Sequence, residues 1–384
     1  MSDPLDLLIV GAGPGGSSAA AAALRGGLSV LQLDAARFPR VKPCAGGLTP
    51  KSLRPLPCAL GGTLRGTFLE FEFNAWRGAR SVYSFRAPLL TMVARPELDQ
   101  RLVEANRAHE RFRFHDAEGV RALEHRAGLF HVWTTRRELR ARQLIGADGA
   151  NGVVNRTFVQ TAPRGRAVAL ELVLRRAGLE NDPVARPCFD FGAVPRGYGW
   201  VFPKDDQVSV GLYSLARGRK DLRALLRSYL EAKGFRWRGK LEFEAHTIPL
   251  GGHRVHAHGP ALYVVGDAAG FADALTGEGI YHALESGRIS CELAAEVARG
   301  AASPDEYARR LEPSVLGDTR WSWRVARLFY ARPDLSLWIL RRTPLGRALV
   351  QGTGSGATFR ASLRDLPRLA AEARAGMDAG VRSE

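Results

Sequence analysis

The chain opens with a largely apolar run, Leu5-Asp6-Leu7-Leu8-Ile9-Val10, of the length of a buried parallel strand. Small residues from Ser17 to Arg25 read as a helix closed by Gly26-Gly27, and a second apolar run, Leu28 to Leu33, ends at Asp34. Together they predict a βαβ unit. Leu139 to Ile145 and Ala261 to Val265 read as further strands, the second leading into a long helix. Four stretches between them, Thr67–Phe73, Ala167–Leu174, Gln207–Leu212 and Lys240–Thr247, alternate apolar and polar positions and predict an antiparallel sheet. Past about residue 300 the pattern is helical. There Trp321, Val325, Leu328 and Phe329 share one helical face, Arg320, Arg324 and Arg327 fall off it, and Leu335 to Leu340 runs into Arg341-Arg342. Such a segment suits a helical cap over a pocket or an interfacial helix resting on an anionic bilayer.

Composition narrows the partners. The 384 residues are too many for one small core, so two or three lobes are expected. The formal net charge is +16, with six lysines and 49 arginines spread along the chain. No basic block of five or more and no nucleic-acid-binding signature is found, so nucleic acid is not an expected partner. A solvated basic surface or an anionic membrane remains. Cys44, Cys58, Cys188 and Cys291 lie far apart without a CxxC pair, which argues against a disulfide scaffold and a zinc site and for reduced thiols. Leu7 to Leu24 carries no charge, but glycines interrupt it and acids precede it, so neither a signal peptide nor a membrane span is expected. The expected location is the cytoplasm, with peripheral attachment to the inner face of the membrane. His253, His256 and His258 crowd one loop without an acid among them, and no metal is expected. Gly352-Thr353-Gly354-Ser355-Gly356 follows no strand and is not a second nucleotide site.

Candidate chemistry begins at Gly11-Ala12-Gly13-Pro14-Gly15-Gly16, where Gly11, Gly13 and Gly16 make GxGxxG between the first strand and helix. Gly11 permits the tight turn, Gly13 lets the backbone approach a pyrophosphate, and Gly16 lets helix and strand pack closely. The helix N-terminus offers free N–H groups to the phosphates. Asp34, eighteen residues past Gly16, stands where a carboxylate accepts hydrogen bonds from ribose hydroxyls. NAD and FAD share this fingerprint. Gly146-Ala147-Asp148-Gly149, then Gly266-Asp267-Ala268-Ala269-Gly270 and Thr276-Gly277-Glu278-Gly279-Ile280, resemble the later motifs of the flavoprotein hydroxylase-like superfamily. The resemblance implies FAD, with Asp267 at the ribityl chain, the backbone of Gly277 to Ile280 beside the flavin N1/C2 carbonyl, and Arg95 bordering the cofactor. A helix starting near Gly279 would stabilise the negative charge of reduced flavin.

Two further segments resemble the geranylgeranyl reductases. Lys42-Pro43-Cys44-Ala45-Gly46-Gly47-Leu48-Thr49-Pro50 is similar to their KPCGGGLSP loop, and Tyr198-Gly199-Trp200-Val201-Phe202-Pro203 to their YxWxFP motif, which lines an isoprenoid channel. Ala45 departs from the family glycine, and the family's GxG becomes Gly211-Leu212-Tyr213, placing a tyrosine where a second glycine is usual. The resemblance covers about residues 1 to 300. It implies an α/β protein with a Rossmann-like FAD-binding domain of glutathione-reductase type, an antiparallel β-sheet substrate domain and a helical C-terminal region. The motif order makes the FAD-binding domain discontinuous, over 1–66, 95–160 and 248–300, with the substrate domain at 67–94 and 161–247 and the helices at 301–384. The activity implied is saturation of carbon–carbon double bonds in a prenyl chain on a lipid, quinone or pigment. Cys44 is then the candidate beside the flavin, next to Ala45 and Gly46. Tyr198 and Trp200 are candidate catalytic and pocket residues, and Phe202, Pro203, Gly211 and Tyr213 shape the channel. An unactivated alkene cannot stabilise an anion, so an acid must protonate one carbon. The electron donor, NADPH or ferredoxin, has no motif of its own, and a monomer is expected. A hydroxylase of the same fold is the alternative. A halogenase is disfavoured because position 198 is tyrosine where WxWxIP is expected. A membrane-surface or nucleic-acid binder with a vestigial flavin site is the reading from another class.

Overall fold

The computed structural model describes residues 3–159, 164–216, 218, 221–252, 261–365, 367–368 and 381–382. In chain order, the elements that position the site begin with β1 (Leu5–Val10), α1 (Pro14–Arg25), β2 (Val30–Leu33), β3 (Glu70–Ala75), α2 (Arg95–Arg107) and β4 (Glu138–Gly146). They continue with β5 (Gly165–Arg175), β6 (Cys188–Phe191), β7 (Gly197–Pro203), β8 (Gln207–Ser214), α3 (Leu222–Ala232), β9 (Glu244–Leu250), β10 (Leu262–Val264) and α4 (Ile280–Ala298). Helices α5 (Gly317–Ala331), α6 (Pro333–Arg342) and α7 (Pro344–Gly354) follow, α6 and α7 each opening on a proline at the first turn.

β1 runs parallel to β2 on one side and β4 on the other, and β4 is parallel to β10. Leu7, Leu8 and Ile9 are fully buried, as in a parallel strand covered on both faces. The hairpin Val120–Arg126/Leu129–Thr134 extends this sheet antiparallel to β4. The small residues of α1 serve packing: a Cβ on Gly287 of α4 would stand 2.2 Å from the Gly15 carbonyl oxygen, and one on Gly26 2.4 Å from Ala295 Cβ. The helices therefore approach at backbone distance.

The second sheet has the order β9-β5-β8-β7-β6-β3, continued by Val82–Ser84 and Val381–Arg382. Along β5, β7 and β8, side chains such as Leu170, Leu172, Val201 and Leu212 pack with α3, while the alternate set faces an internal cavity. The result is a mixed α/β fold with a helical region after about residue 300.

Three expectations need correction. The sheet is not wholly antiparallel, because β6 and β3 are parallel. Thr67–Phe73 is not one strand: Leu64–Phe68 belongs to a small three-stranded sheet, and β3 starts at Glu70 in the large one. The alternation breaks at the adjacent apolar pair Phe68-Leu69, and exposed Leu69 is where the chain crosses between the sheets. Lys240–Thr247 starts as a strand only at Glu244 and continues to Leu250, since Leu241 and Phe243 are apolar for packing beside α3. In α5 the apolar stripe is divided, with Val325, Leu328 and Phe329 lining an internal cavity and Trp321 turned away from it. Phe329 is buried, but Trp321 is 39% and Leu328 75% exposed, and the inward face carries Asp318, Thr319, Ser322, Ala326 and Tyr330. Those polar groups bond to neighbouring loops, which apolar periodicity does not register.

Candidate active site

A cavity of about 920 Å³ lies between the two sheets and reaches the C-terminal helices. Its polar end is built from the βαβ turn. Gly11 sits at φ +106°, and a Cβ there would fall 2.2 Å from the Ala147 carbonyl oxygen, so only glycine fits. Asp34 accepts hydrogen bonds from the amides of Ala12 (2.8 Å) and Ala36 (2.9 Å), tying the carboxylate to the glycine turn. Arg40 approaches Asp34 at 3.6 Å and Asp99 at 3.1 Å. Arg95 makes three further contacts of 3.1–3.2 Å to Asp99, so one buried carboxylate serves two guanidinium groups. Burial opposes the charge on Arg95, yet Asp99 and Cys44 raise its pKa. Arg40 Nε is buried without a hydrogen-bond acceptor, and Arg40 reaches to within 3.3 Å of where a Gly13 Cβ would stand.

Asp267 stands 3.9 Å from Lys42 and 3.6 Å from His246. Burial would protonate its carboxyl, but the nearby His246 ring and the Lys42 charge hold its pKa below the usual range. A Cβ on Gly279, the residue capping α4, would lie 3.2 Å from Asp267 Oδ1. The loop before it is pinned by three tyrosine hydroxyls on three successive carbonyls. Tyr213 donates to Ala274 (2.8 Å), Tyr330 to Leu275 (2.5 Å) and Tyr198 to Thr276. Asp273 Oδ1 accepts from the Leu275 and Thr276 amides, and Ser322 Oγ from the Ala274 and Leu275 amides. Tyr213, the departure from GxG, thus holds this loop. Gly211 meets a different need: a Cβ there would strike the Trp200 ring at 2.2 Å.

The other end of the cavity is aromatic. Phe71, Phe73, Phe189, Phe191, Tyr198, Trp200 and Phe202 line it, with Val325, Leu328, Phe329, Ile339 and Leu349 from the C-terminal helices. One corner remains polar, where Glu171 accepts from Ser209 at 2.6 Å and Lys204 is buried nearby.

Of the residues singled out in the sequence, Gly11, Gly13, Pro14, Gly15, Asp34, Cys44, Ala45, Gly46, Arg95, Asp148, Gly266, Asp267, Gly277, Gly279 and Ile280 come together on this cavity, as do Tyr198, Trp200, Phe202 and Tyr213. Gly16 packs instead against Gly11, whose carbonyl oxygen would lie 2.0 Å from a Gly16 Cβ. Pro203 falls on the far side of the β7 alternation from Phe202 and is buried away from the cavity. Asp148 has a partly structural task, since its Oδ2 accepts the Val154 amide at 3.0 Å. The histidines at 253, 256 and 258 lie outside the described residues. Sequence reasoning missed Arg40, His246, Glu171 and Lys204. Glu171 alone left a trace, as a charge at an inward position of an alternating strand.

Glycine turn, paired arginines and anchored acid define a dinucleotide-binding flavoprotein, and residues 4–173 match the family model described as an FAD binding domain. The chain is 34% identical over 354 residues to the menaquinone reductase of Mycobacterium tuberculosis, covering 83% of this chain and 81% of that one. It is 30% identical over 335 residues to digeranylgeranylglycerophospholipid reductase 2 of Methanothermobacter thermautotrophicus, covering 80% and 82%. Among solved structures, a geranylgeranyl bacteriochlorophyll reductase-like protein from Thermoplasma acidophilum matches with TM-score 0.75 and 19% identity over 96% of both chains. A halogenase in complex with FAD matches with TM-score 0.73 and 17% identity over 97% of this chain and 86% of that one, a likeness of fold alone. The chain belongs to the geranylgeranyl reductase family of FAD-dependent oxidoreductases.

Proposed function

We propose that the protein saturates isolated double bonds in a prenyl chain of the geranylgeranyl type, carried by a lipid, quinone or pigment. The observation that carries this reading is the aromatic half of the cavity opening directly onto its polar half. An isolated alkene has no polar handle, so its site must hold it by apolar surface. FAD suits the polar half, because a Cβ at Gly279 would crowd the Asp267 carboxylate there and Arg40 Nε is a buried donor lacking an acceptor. We assign Asp34 to the adenosine ribose, the α1 N-terminus with Arg40 and Arg95 to the pyrophosphate, and Asp267 to the ribityl chain. Gly277 to Ile280 then border the flavin N1/C2 edge, with Cys44, Ala45 and Gly46 beside the ring. When bound and reduced, FAD supplies the hydride. The chain's own residues exclude water, orient the alkene along the aromatic wall and bring a proton to its second carbon. The domain reading is a Rossmann-like FAD-binding unit of glutathione-reductase type (1–66, 95–160, 248–300), a substrate sheet (67–94, 161–247) and a helical region (301–384). NADPH and ferredoxin remain the candidate donors.

The test is anaerobic reduction of the bound flavin, then mixing with menaquinone or geranylgeranyl lipids and mass spectrometry. The expected product gains two hydrogens per double bond reduced; unchanged lipid in every case removes the reading. The alternative is an FAD-dependent monooxygenase of the same fold, which would consume oxygen where the reductase does not.

A further inference from the structure

We propose that Glu171 is the acid of this site, holding a proton at the cavity wall beside Cys44 and giving it to the alkene carbon that does not receive the hydride. The assignment rests on the prenyl-reductase reading above.

Along β5, Ala169 and Glu171 face the cavity while Leu170 and Leu172 pack on the α3 side. A carboxyl in that row is costly, and Glu171 is only 4% exposed. Trp200 Nε1 donates to Ser209 Oγ at 3.0 Å, so the serine hydrogen is directed to Glu171 Oε1 at 2.6 Å. With Oε1 engaged as acceptor, the carboxyl proton belongs on Oε2. The groups facing Glu171 are Lys204 from the end of β7, Glu244 directly across on β9, and the Cys44 amide, with Arg95 beyond it. Burial raises the Glu171 pKa and Glu244 adds to this, while Ser209, Lys204 and the Cys44 amide oppose it without reversing it. Burial also lowers the Lys204 pKa. Burial thus works against the charge on both members of the pair.

Other hydroxyl donors on the wall are committed. Tyr198 and Tyr213 each donate to a loop carbonyl, and burial pushes both phenols well above their ordinary pKa. In the step itself, the Glu171 O–H bond breaks and its proton forms one C–H bond with the π electron pair of the alkene. The hydride, which carries the two electrons of the reduction, forms the other. The carboxylate left behind faces Lys204 and regains its proton from solvent before the next turnover.

The test compares wild type, Glu171→Gln, Cys44→Ala, Lys204→Met and Glu244→Gln as FAD-loaded proteins. Infrared difference spectra without substrate should show a protonated-carboxyl band at neutral pH that disappears in Glu171→Gln. In a single turnover of the reduced enzymes with geranylgeranyl diphosphate in detergent, Glu171→Gln should keep its flavin but reoxidise at least about 100-fold more slowly. The wild-type rate should fall as pH rises through the Glu171 pKa. That limb should move to higher pH in Lys204→Met and to lower pH in Glu244→Gln, opposite shifts that a packing role would not produce. A Glu171→Gln rate within a few-fold of wild type, with the loss falling on Cys44→Ala instead, overturns the proposal, as does a missing infrared band. Should wild type reduce no prenyl chain, the reading of the reaction falls, and the infrared band alone decides whether Glu171 stores a proton.

Discussion

Asp267 enters the site as an anion although burial works against it, because His246 and Lys42 hold its pKa down. Asp267→Ala should therefore purify with most of its flavin lost, read from the ratio of flavin to protein absorbance; a fully loaded variant would refute the ribityl assignment. Tyr213→Phe is a gentler probe. It removes one hydrogen bond to the Ala274 carbonyl, worth about 1 kcal/mol, so FAD affinity should weaken roughly fivefold in a fluorescence titration of the apoprotein. An unchanged affinity would show that Tyr198, Tyr330 and Ser322 hold the loop without it. Residues such as Asp34 and Asp267 were legible in the sequence because strand, turn and acid occur at fixed spacing along one stretch. Arg40 and His246 were not, since each meets its carboxylate only through tertiary approach, His246 from a strand 21 residues before Asp267.

At the scale of elements, the flavin-side loop and α5 are joined through Lys51. Its ammonium lies 3.0 Å from Glu278 and 3.9 Å from Asp318 of α5, and Asp318 is also bonded to His282 of α4 at 3.1 Å. Burial would protonate both carboxyls, yet Lys51 and their hydrogen bonds hold each pKa below its unfolded value of about 4. The stabilisation is thus complete above about pH 5 and is lost as pH falls through the folded values. Lys51→Met should cost about 3–5 kcal/mol at pH 7, by leaving buried carboxylates unpaired. The difference in melting temperature from wild type should narrow below about pH 4; a gap independent of pH would reduce Lys51 to packing. The βαβ unit, the helix after Gly279 and strands β5 and β8 were readable from periodicity alone. The inward face of α5 was not, because Asp318, Ser322 and Tyr330 face in to satisfy polar groups on other elements. The role of Tyr213 was not legible either, because its hydroxyl meets the Ala274 carbonyl only in the folded chain.

For the whole molecule, the proposed reaction requires a water-insoluble chain to reach the cavity, since each buried CH₂ is worth about 0.8 kcal/mol. Among the described residues, no helix is long and apolar enough to cross a membrane. Leu328, on the cavity lining, is 75% exposed, and Leu335 and Trp338 nearby in sequence are 53% and 52% exposed. Arg324, Arg327, Arg332 and Arg342 on the same helices are exposed, whereas Arg341, expected to flank this segment, is half-buried. Arginines near anionic lipid contribute on the order of 1 kcal/mol each, screened over about a Debye length. Wild type should co-sediment with anionic vesicles at low salt and be released at high salt, and Arg327→Glu/Arg342→Glu should bind less. Indifference of the wild type to anionic vesicles at low salt would make these helices a lid alone.

The cavity's polar end gathers Gly11 from near one end of the sequence and Ile280 from roughly 270 residues later. During synthesis, β1 and α1 emerge first, and at about 5–20 residues per second the partner helix α4 follows only after some tens of seconds. Until then the alanine face of α1 lacks the backbone against which Gly287 seats it. The cavity is therefore finished late in synthesis: no nascent chain short of α4 has its polar end complete.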